Sequence, residues 1–393
     1  MTYKKNFSIY LIIFLSIAIA IFNFSEFIIE RSPNQYSDWL INYQGGFVRR
    51  GLIGEFIFKL YQITKINLNL ILFLFVAFFY LSFCYFFIKL IKKLELNHLN
   101  LFILFSPLSF IYPVMEQKVS GRKDIMFLAA ISFCAVFLSK IKLENQKFIL
   151  IVIITLLVFS HSAFYFYLPF IFLLFYIINF KANSKNFLKE LLIILIFSFF
   201  LFLLTVFNTE IDNIGIDKIC LSIKDFYSEC GRNDYIATLN WSLKYEIYLV
   251  ETIWNKENYI IFYLLAGIFA FIPIIITFLN TKVLSNKFKN INMIIVFILL
   301  NLITLPVYYI GADYGRYMHI SYISLAVIYF KSLEVKFLKQ KKTNFKFSNL
   351  FIISIVVIYG FAWTIPHCCN NQIKYTLEKP YKELKKFVLN NLN

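Results

Sequence analysis

The feature that most limits what this chain can fold into is a succession of long apolar runs. A membrane-spanning helix needs about 20 mostly apolar residues, and such runs recur along a chain that is 60% hydrophobic and 16% charged. Soluble domains are far less apolar. The sequence therefore predicts an all-α polytopic membrane protein that forms a single integral membrane domain over 1–393. Eleven candidate spans lie near 8–28, 69–90, 99–115, 125–140, 148–160, 163–180, 188–206, 259–279, 291–310, 316–333 and 349–365.

The placement of lysine predicts how these spans are oriented. Short cytoplasmic loops are rich in Lys and Arg, and with the N-terminus in the cytoplasm the inner segments hold 20 lysines and four acids. The outer segments hold 13 lysines and six arginines against 18 acids. The net charge of +17 is therefore a topology signal and not a nucleic-acid footprint. The C-terminus is predicted outside, and the larger outer segments are a first loop at 30–67, an extracytoplasmic loop at 207–258 and the tail at 366–393.

Arginine breaks this pattern, because all of it falls on the predicted outer side. A guanidinium group stays charged and binds phosphate or carboxylate through two parallel hydrogen bonds, whereas lysine is a flexible point charge. We therefore expect the chemistry on the outer face. The six arginines are Arg31, Arg49, Arg50, Arg122, Arg232 and Arg316.

The first outer loop holds the densest group of candidate site residues. Four of the eleven glycines lie between 45 and 54 beside two arginines, and glycine lets backbone approach a ligand closely. Apolar residues from Gly51 onward recur at helical spacing, which predicts an amphipathic juxtamembrane helix whose first turn offers N–H groups to an anion. The alternative is a turn whose arginines are solvated among lipid phosphates. The candidates here are the acid Asp38 and a substrate-binding group of Trp39, Tyr43, Gln44, Gly45, Gly46, Arg49 and Arg50.

Two further outer turns supply candidate partners. The turn at 116–124 again sets glycine beside charge, as Arg122, Lys123 and Asp124. His161 lies at a break between two apolar runs. There it can act as a general base, contact a sugar hydroxyl or serve as a structural hydrogen-bonding residue.

The outer turn at 311–317 repeats the combination of glycine, acid and arginine. Asp313 and Arg316 are three residues apart, with Tyr314 between them. Asp313 is a third candidate catalytic group beside Asp38 and His161, and Arg316 is a candidate anion ligand. If the segment is helical, Asp313 and Arg316 instead form an ordinary intrahelical ion pair.

The cysteines predict one disulfide and no metal site. Cys220 and Cys230 lie in the 207–258 loop, and their spacing suits a disulfide on the outer side of a bacterial inner membrane. No other ligands accompany them at the spacing of a zinc site. The adjacent Cys368 and Cys369 are expected to be free. No cofactor is indicated, since the chain has no nucleotide-binding loop, dinucleotide fingerprint or zinc-protease motif, and a requirement for a divalent metal is left open.

Several of these segments together resemble a known class. The architecture of many spans with a long first outer loop, an acid and then a surface helix resembles the GT-C membrane glycosyltransferases. The stretches NYQGGFVRRGLIGE, SGRKD, HSAFYFYLPF and DYGRY also resemble proteins encoded in bacterial O-antigen and capsule clusters, including the Wzy-type repeat-unit polymerases. Two features depart from the pattern: the first loop lacks an Asp-X-Asp or Asp-Glu pair, and the long loop lies mid-chain.

The resemblance implies a sugar donor linked to polyprenyl phosphate or pyrophosphate and reached from the bilayer. It implies that Asp38 is the base, and that the donor phosphate is held by Arg49, Arg50, Arg122 and Arg316. The implied partners are a lipid-linked sugar or oligosaccharide, membrane lipid, and a chain-length regulator or flippase. Aromatic rings suited to stacking on sugars are those of Trp39, Tyr43, Tyr314 and Tyr317.

Four functions remain open at this level. A repeat-unit polymerase and a transferase of single sugars fit the loops equally well. A transporter of lipid-linked sugar would line a cavity at mid-membrane with charge, yet the spans contain almost no ionisable residues. A non-catalytic membrane subunit would not need the clustered Gly, Arg and Asp of the outer loops. Glycosyl transfer is therefore the predicted function.

Overall fold

The structure is a computed structural model of an all-α membrane protein. Residues 2–30, 33–182, 184–207, 211–227, 230–231, 234–256, 258–284, 292–341, 349–369 and 374–375 are described. Two of the six arginines, Arg31 and Arg232, lie outside the described residues, as does most of the tail at 366–393.

Helices dominate the chain. They are α1 (Thr2–Phe24), α2 (Pro33–Leu40), α3 (Leu52–Thr64), α4 (Leu68–Ile91), α5 (His98–Leu104), α6 (Tyr112–Met115), α7 (Gln117–Ser120), α8 (Asp124–Phe137), α9 (Leu143–Ser160), α10 (Leu168–Ile178), α11 (Ser184–Phe207), α12 (Asn213–Ile223), α13 (Leu243–Trp254), α14 (Tyr259–Leu279), α15 (Met293–Ile303), α16 (Leu305–Ile310), α17 (Tyr314–Glu334) and α18 (Asn349–Phe361).

Short pieces of other structure join these helices. A π-helical turn, Ser25–Glu30, extends α1, and 3₁₀ turns cover Leu138–Lys140, Ser162–Tyr167 and Ala237–Asn240. The described part of the chain contains two antiparallel strand pairs. β1 (Thr281–Val283) pairs with β2 (Leu338–Gln340), with Thr281 opposite Gln340. β3 (Trp363–Thr364) pairs with β4 (Lys374–Tyr375).

Within the described residues, six helical segments are long and apolar enough to cross a membrane. This makes the chain a multi-pass membrane protein, as the sequence predicts. Their outward faces carry large apolar side chains, as expected of surfaces that contact lipid. The six segments are Lys4–Ile29, Leu68–Ile91, Leu143–Ser160, Lys185–Phe207, Tyr259–Leu279 and Met293–Ile310.

The other five predicted spans are shorter, broken or more polar. The 99–115 region breaks into α5, a turn at Pro107 and α6, because proline cannot continue a helix interior. The 163–180 region begins as a 3₁₀ turn, and α8 and α18 have only 14 and 13 residues. The eleven-span count therefore stays a prediction.

The helix α17 forms the centre of the protein. Nearly all of it is buried, and it packs against α4, α8, α10 and α14. Because its neighbours are helices and not lipid, it can carry a histidine and several hydroxyls: Nδ1 of His319 hydrogen-bonds the Leu108 carbonyl at 2.8 Å, and the Tyr322 hydroxyl donates to the Ile103 carbonyl at 3.1 Å. These contacts hold α17 in place, and with it Arg316 in its first turn.

Segments predicted to be cytoplasmic meet at one end of the helix bundle. Nζ of Lys4 lies 3.0 Å from Nε2 of His98, and Glu334 pairs with both Lys93 and Lys331. The β1–β2 pair joins the chain after α14 to the chain after α17 at this end. The segments predicted to be external form a separate group of contacts, which does not include these lysines. They are α2, the start of α8, the end of α9 and the start of α17.

The 207–258 segment packs over the first outer loop. The backbone N–H of Tyr235 donates to Oγ of Ser37 at 3.0 Å, and Asn42 donates to Ser222 at 3.0 Å. Gly45 contacts the α12 backbone so closely that a Cβ there would collide with the carbonyl oxygen of Gly215. The two segments predicted to be external therefore form one layer, and α3 lies where the sequence predicts the juxtamembrane helix.

Both cysteine pairs are disulfide-bonded in the structure. Cys220 joins Cys230, which closes a loop at the end of α12. Cys368 joins its neighbour Cys369, although these cysteines were expected to be free. The chain turns sharply there, with Cys369 in the left-handed region at a φ of 64°.

Candidate functional site

The predicted site residues converge where the first outer loop meets the starts of α8 and α17. Asp38, at the end of α2, is only 1% exposed. Nζ of Lys123, just before α8, lies 3.8 Å from Oδ1 of Asp38. The same Nζ donates to the carbonyl oxygens of Arg50 and Ser160, at 3.0 and 3.2 Å. One buried ammonium group therefore ties three separate segments together.

The two partners of this ion pair have unusual pKa values. Burial alone would raise the pKa of Asp38, but attraction to Lys123, His161, Arg50 and Arg122 lowers it to about 2. Burial lowers the pKa of Lys123 to about 8, against the opposing pull of Asp38. Asp38 is therefore an ionised carboxylate at neutral pH. Its Oδ1 makes no hydrogen bond within the described residues.

The two adjacent arginines have different roles. Nη2 of Arg49 pairs with Oε1 of Glu246 in α13 at 2.6 Å, and both side chains are about nine-tenths buried. Arg50 is half-buried and has no ion pair or hydrogen bond to another side chain among the described residues. Its charge lowers the pKa of Asp38 and also that of His161. Of the predicted pair, only Arg50 is open to a ligand.

The remaining cations of the site already have partners. Arg122 lies over the ring of Tyr235, with its guanidinium carbon 4.4 Å from the ring centre, and its Nε donates to the Lys118 carbonyl at 3.3 Å. Arg316 grips both carboxylate oxygens of Asp124, at 2.7 and 2.9 Å. It also pairs with Asp313. The intrahelical reading of Asp313 and Arg316 thus describes one part of a larger network.

His161 ends α9 and caps the following 3₁₀ turn. Its Nδ1 accepts a hydrogen bond from the backbone N–H of Ala163 at 3.3 Å. Burial, followed by repulsion from Arg50, lowers its pKa well below the ordinary value. The ring is therefore neutral, and because Nδ1 is an acceptor, its proton is on Nε2. This arrangement favours hydrogen-bond donation over the predicted role as general base.

Two of the predicted sugar-stacking rings are instead part of the core. Trp39 is fully buried, and its Nε1 donates to the Gly121 carbonyl at 2.7 Å. Tyr314 is also buried, and its hydroxyl donates to the Tyr308 carbonyl at 2.9 Å. A ring with no exposed face cannot stack on a sugar. Burying an indole or phenol with its polar atom satisfied stabilises the fold, which accounts for both residues.

The rest of the first loop shapes a turn. Tyr43 is half-buried and stacks on Phe47, with ring centres 5.4 Å apart. Glu55 accepts hydrogen bonds from the Tyr43 backbone and from the Gln44 side chain, both at 3.0 Å. Gly46 has a backbone φ of 118°, a conformation that residues other than glycine rarely adopt. Gly45 and Gly46 therefore serve the turn and its close contact with α12, and their predicted ligand contact has no support in this geometry.

The site also contains residues that the sequence did not indicate. Glu246 and Tyr235 come from the 207–258 segment and partner Arg49 and Arg122. Glu116 lies 3.1 Å from Nδ1 of His367, a residue of the C-terminal tail. No local spacing marks these residues, because each becomes a partner only through the fold.

The Arg49–Glu246 pair should stabilise the contact between the first loop and α13. Removing one partner of a buried pair costs about 3–5 kcal/mol because it leaves an unpaired charge. We expect Glu246→Gln and Arg49→Ala each to lower the thermal unfolding temperature in detergent. The Arg49→Ala/Glu246→Gln double variant should lose less than the two single losses combined. Strictly additive losses would mean that the two side chains do not interact.

Comparison of this chain with protein-family models, with curated proteins and with solved structures gives no match in any of the three.

Proposed function

We propose that the protein is a membrane-embedded glycosyltransferase that takes a sugar from a polyprenyl-phosphate or polyprenyl-pyrophosphate donor. The observation that supports this proposal most is that Arg50 has no carboxylate partner among the described residues. Among the cations of the site, Arg49, Lys123 and Arg316 are held by carboxylates, whereas Arg50 pairs with no carboxylate of the described residues. It lies close enough to the buried Asp38 to lower the pKa of that acid. A guanidinium group that forms no ion pair with a described carboxylate is suited to bind an anionic leaving group. The ionised carboxylate of Asp38 nearby is suited to act as the base.

The chemistry of transfer makes use of both groups. Departure of a lipid phosphate builds negative charge, which a preorganised guanidinium stabilises strongly in a poorly hydrated site. The acceptor hydroxyl must lose a proton as the new glycosidic bond forms. Asp38 can accept that proton through Oδ1, which makes no hydrogen bond within the described residues. Lys123 keeps Asp38 ionised and in place, and the Nε2–H of His161 can donate to a sugar oxygen.

The proposal includes a location and a topology. The resemblance to bacterial surface-polysaccharide proteins supports a bacterial inner membrane, and the apolar runs of the sequence support eleven crossings. Lysine placement supports a cytoplasmic N-terminus and an external C-terminus. On this topology the Asp38–Arg50 cluster faces outward, where a surface polysaccharide is assembled. The bilayer gives direct access to a lipid-linked donor. A flippase would deliver that donor, and a chain-length regulator would be a partner.

Reporter fusions test the topology. A fusion at Asn213, at the start of α12, should read as external. A fusion at Lys342, which lies outside the described residues just after β2, should read as cytoplasmic. The physical reason is the lysine excess of the segments predicted inside. The opposite reading at both positions would place the cluster in the cytoplasm and remove the case for an outer-face reaction.

Within glycosyl transfer, a repeat-unit polymerase is the version we favour, with a single-sugar transferase as the alternative. Purified protein in lipid vesicles should be given a lipid-linked oligosaccharide repeat unit, and the products should be separated by size. A ladder of products that differ by whole repeat units supports the polymerase. A product extended by one sugar from a polyprenyl-phosphate sugar supports the alternative. Absence of new glycosidic bonds with both donors would contradict glycosyl transfer.

A further inference from the structure

A second group of polar side chains lies next to the site described above. Asp313, His367 and Cys368 place one ligand atom each within 4.8 Å of one another. They come from the turn before α17 and from the chain after α18. The backbone holds these two stretches together: Gly315 N–H donates to the His367 carbonyl at 3.1 Å, and Tyr263 donates to the Pro366 carbonyl at 3.2 Å.

The neighbours of this group orient it in the way that metal sites are oriented. Oε1 of Glu116 lies 3.1 Å from Nδ1 of His367. A carboxylate on one ring nitrogen is the usual outer support of a metal-binding histidine, because it fixes the tautomer and leaves the other nitrogen for the metal. Asp313 is anchored through Oδ2 by Arg316. Two of the three groups are therefore held in place by residues that are not themselves in the cluster.

The sulfur atom decides when a metal can bind. Zinc binds thiolate, imidazole and carboxylate ligands, and three protein ligands leave one position open. In the structure the sulfur of Cys368 is bonded to Cys369, and only a thiolate is the effective ligand. We propose that the protein binds a divalent transition ion of the zinc type through Asp313, His367 and Cys368 when the Cys368–Cys369 bond is reduced. This site is independent of the proposed sugar transfer.

The switch between the two states is a balanced thiol–disulfide exchange. An external dithiol, either a small molecule or a redox protein, gives two electrons and two protons to the Cys368–Cys369 bond and becomes a disulfide itself. The bond between the two sulfurs breaks and two thiols form. The Cys368 thiol then releases its proton as its sulfur bonds the metal.

The adjacent cysteines provide a matched pair of variants. Cys369→Ser cannot form the disulfide but keeps the Cys368 thiol, whereas Cys368→Ser loses both. Cobalt(II) is the probe, because a cobalt–thiolate bond gives a charge-transfer absorption band. The background should be Cys220→Ser/Cys230→Ser, so that added reductant acts on no other disulfide in the described residues.

We expect full-length Cys369→Ser protein in detergent to bind cobalt, with the thiolate band, without any reductant. The protein with both tail cysteines should show the band only after reduction, and Cys368→Ser should never show it. Glu116→Gln should weaken cobalt binding by about 10–100-fold, the usual effect of losing an outer support. The inference is overturned if folded, monodisperse Cys369→Ser shows no band, or if Cys368→Ser shows the same band. Neither result depends on transferase activity.

Discussion

Replacing Asp38 with asparagine should abolish sugar transfer while the protein remains inserted in the membrane. The amide has nearly the same shape but cannot accept a proton, and loss of a general base lowers the rate by about 10²–10⁴-fold. Asp38 is ionised at neutral pH because the attraction of Lys123 and its neighbours outweighs the effect of burial. The measurement is the rate of lipid-linked sugar transfer at matched protein levels, or the polysaccharide ladder of cells that carry the variant.

Two controls separate lost chemistry from lost structure. Asp38→Asn leaves the buried ammonium of Lys123 without its carboxylate, which destabilises the fold. The Asp38→Asn/Lys123→Met variant removes that charge and should regain thermal stability while staying inactive. Asp217→Asn makes the same chemical change on the exposed face of α12 and should keep full activity. If Asp38→Asn gives a wild-type rate, Asp38 is not the base.

Arg50→Lys should reduce transfer almost as much as Arg50→Ala. Lysine keeps the positive charge but loses the planar fork that binds a phosphate through two hydrogen bonds. Losing one charge-assisted contact to the developing oxyanion costs about 2.7–4 kcal/mol, or roughly 10²–10³-fold in rate. A lysine variant with near-normal activity would mean that Arg50 acts only by general attraction to an anionic surface.

The neighbouring arginine is the matched comparison for this experiment. Arg49→Lys can still pair with Glu246, so it should keep most of the transfer rate. Arg49→Ala should act mainly on stability, since its partner is a carboxylate of the protein. The proposal therefore expects a rate defect at Arg50 and a stability defect at Arg49. If both alanine variants transfer sugar normally, the first outer loop is not the site. The remaining candidate site residues are then Arg122, His161 and Arg316.

The sequence was sufficient for properties that depend on local composition. Runs of about 20 apolar residues can bury their backbone polar groups in a bilayer only as helices, so a helical membrane protein follows directly. Helical spacing from Gly51 onward gave the position of α3. The ten-residue separation of Cys220 and Cys230 is short enough for one segment between two apolar helices to bring them together, and the structure joins them.

Tertiary structure alone decided how the polar residues are paired. Arg49 and Arg50 have the same local signal, yet one pairs with Glu246, which is 197 positions away, and the other does not. Asp124 and Arg316 form a bidentate pair across 192 positions. The fold decides which cation is paired, because it brings a distant carboxylate close to one arginine and not to the other. The spacing of residues along the chain does not predict these distant pairs.

The same reason explains why the burial of two aromatic residues was not predicted. The composition of a loop shows that Trp39 and Tyr314 can stack on a sugar, but it does not show which surface a neighbouring segment covers. The 116–124 turn accepts the indole N–H of Trp39, and α16 accepts the hydroxyl of Tyr314. The sequence thus determined the class of protein and which segments hold the clustered polar residues, and their position outside the membrane stays a prediction. The fold determined which of those side chains are buried or paired within the protein and which remain open to a ligand. Burial and pairing depend on contacts between segments that are distant in the sequence.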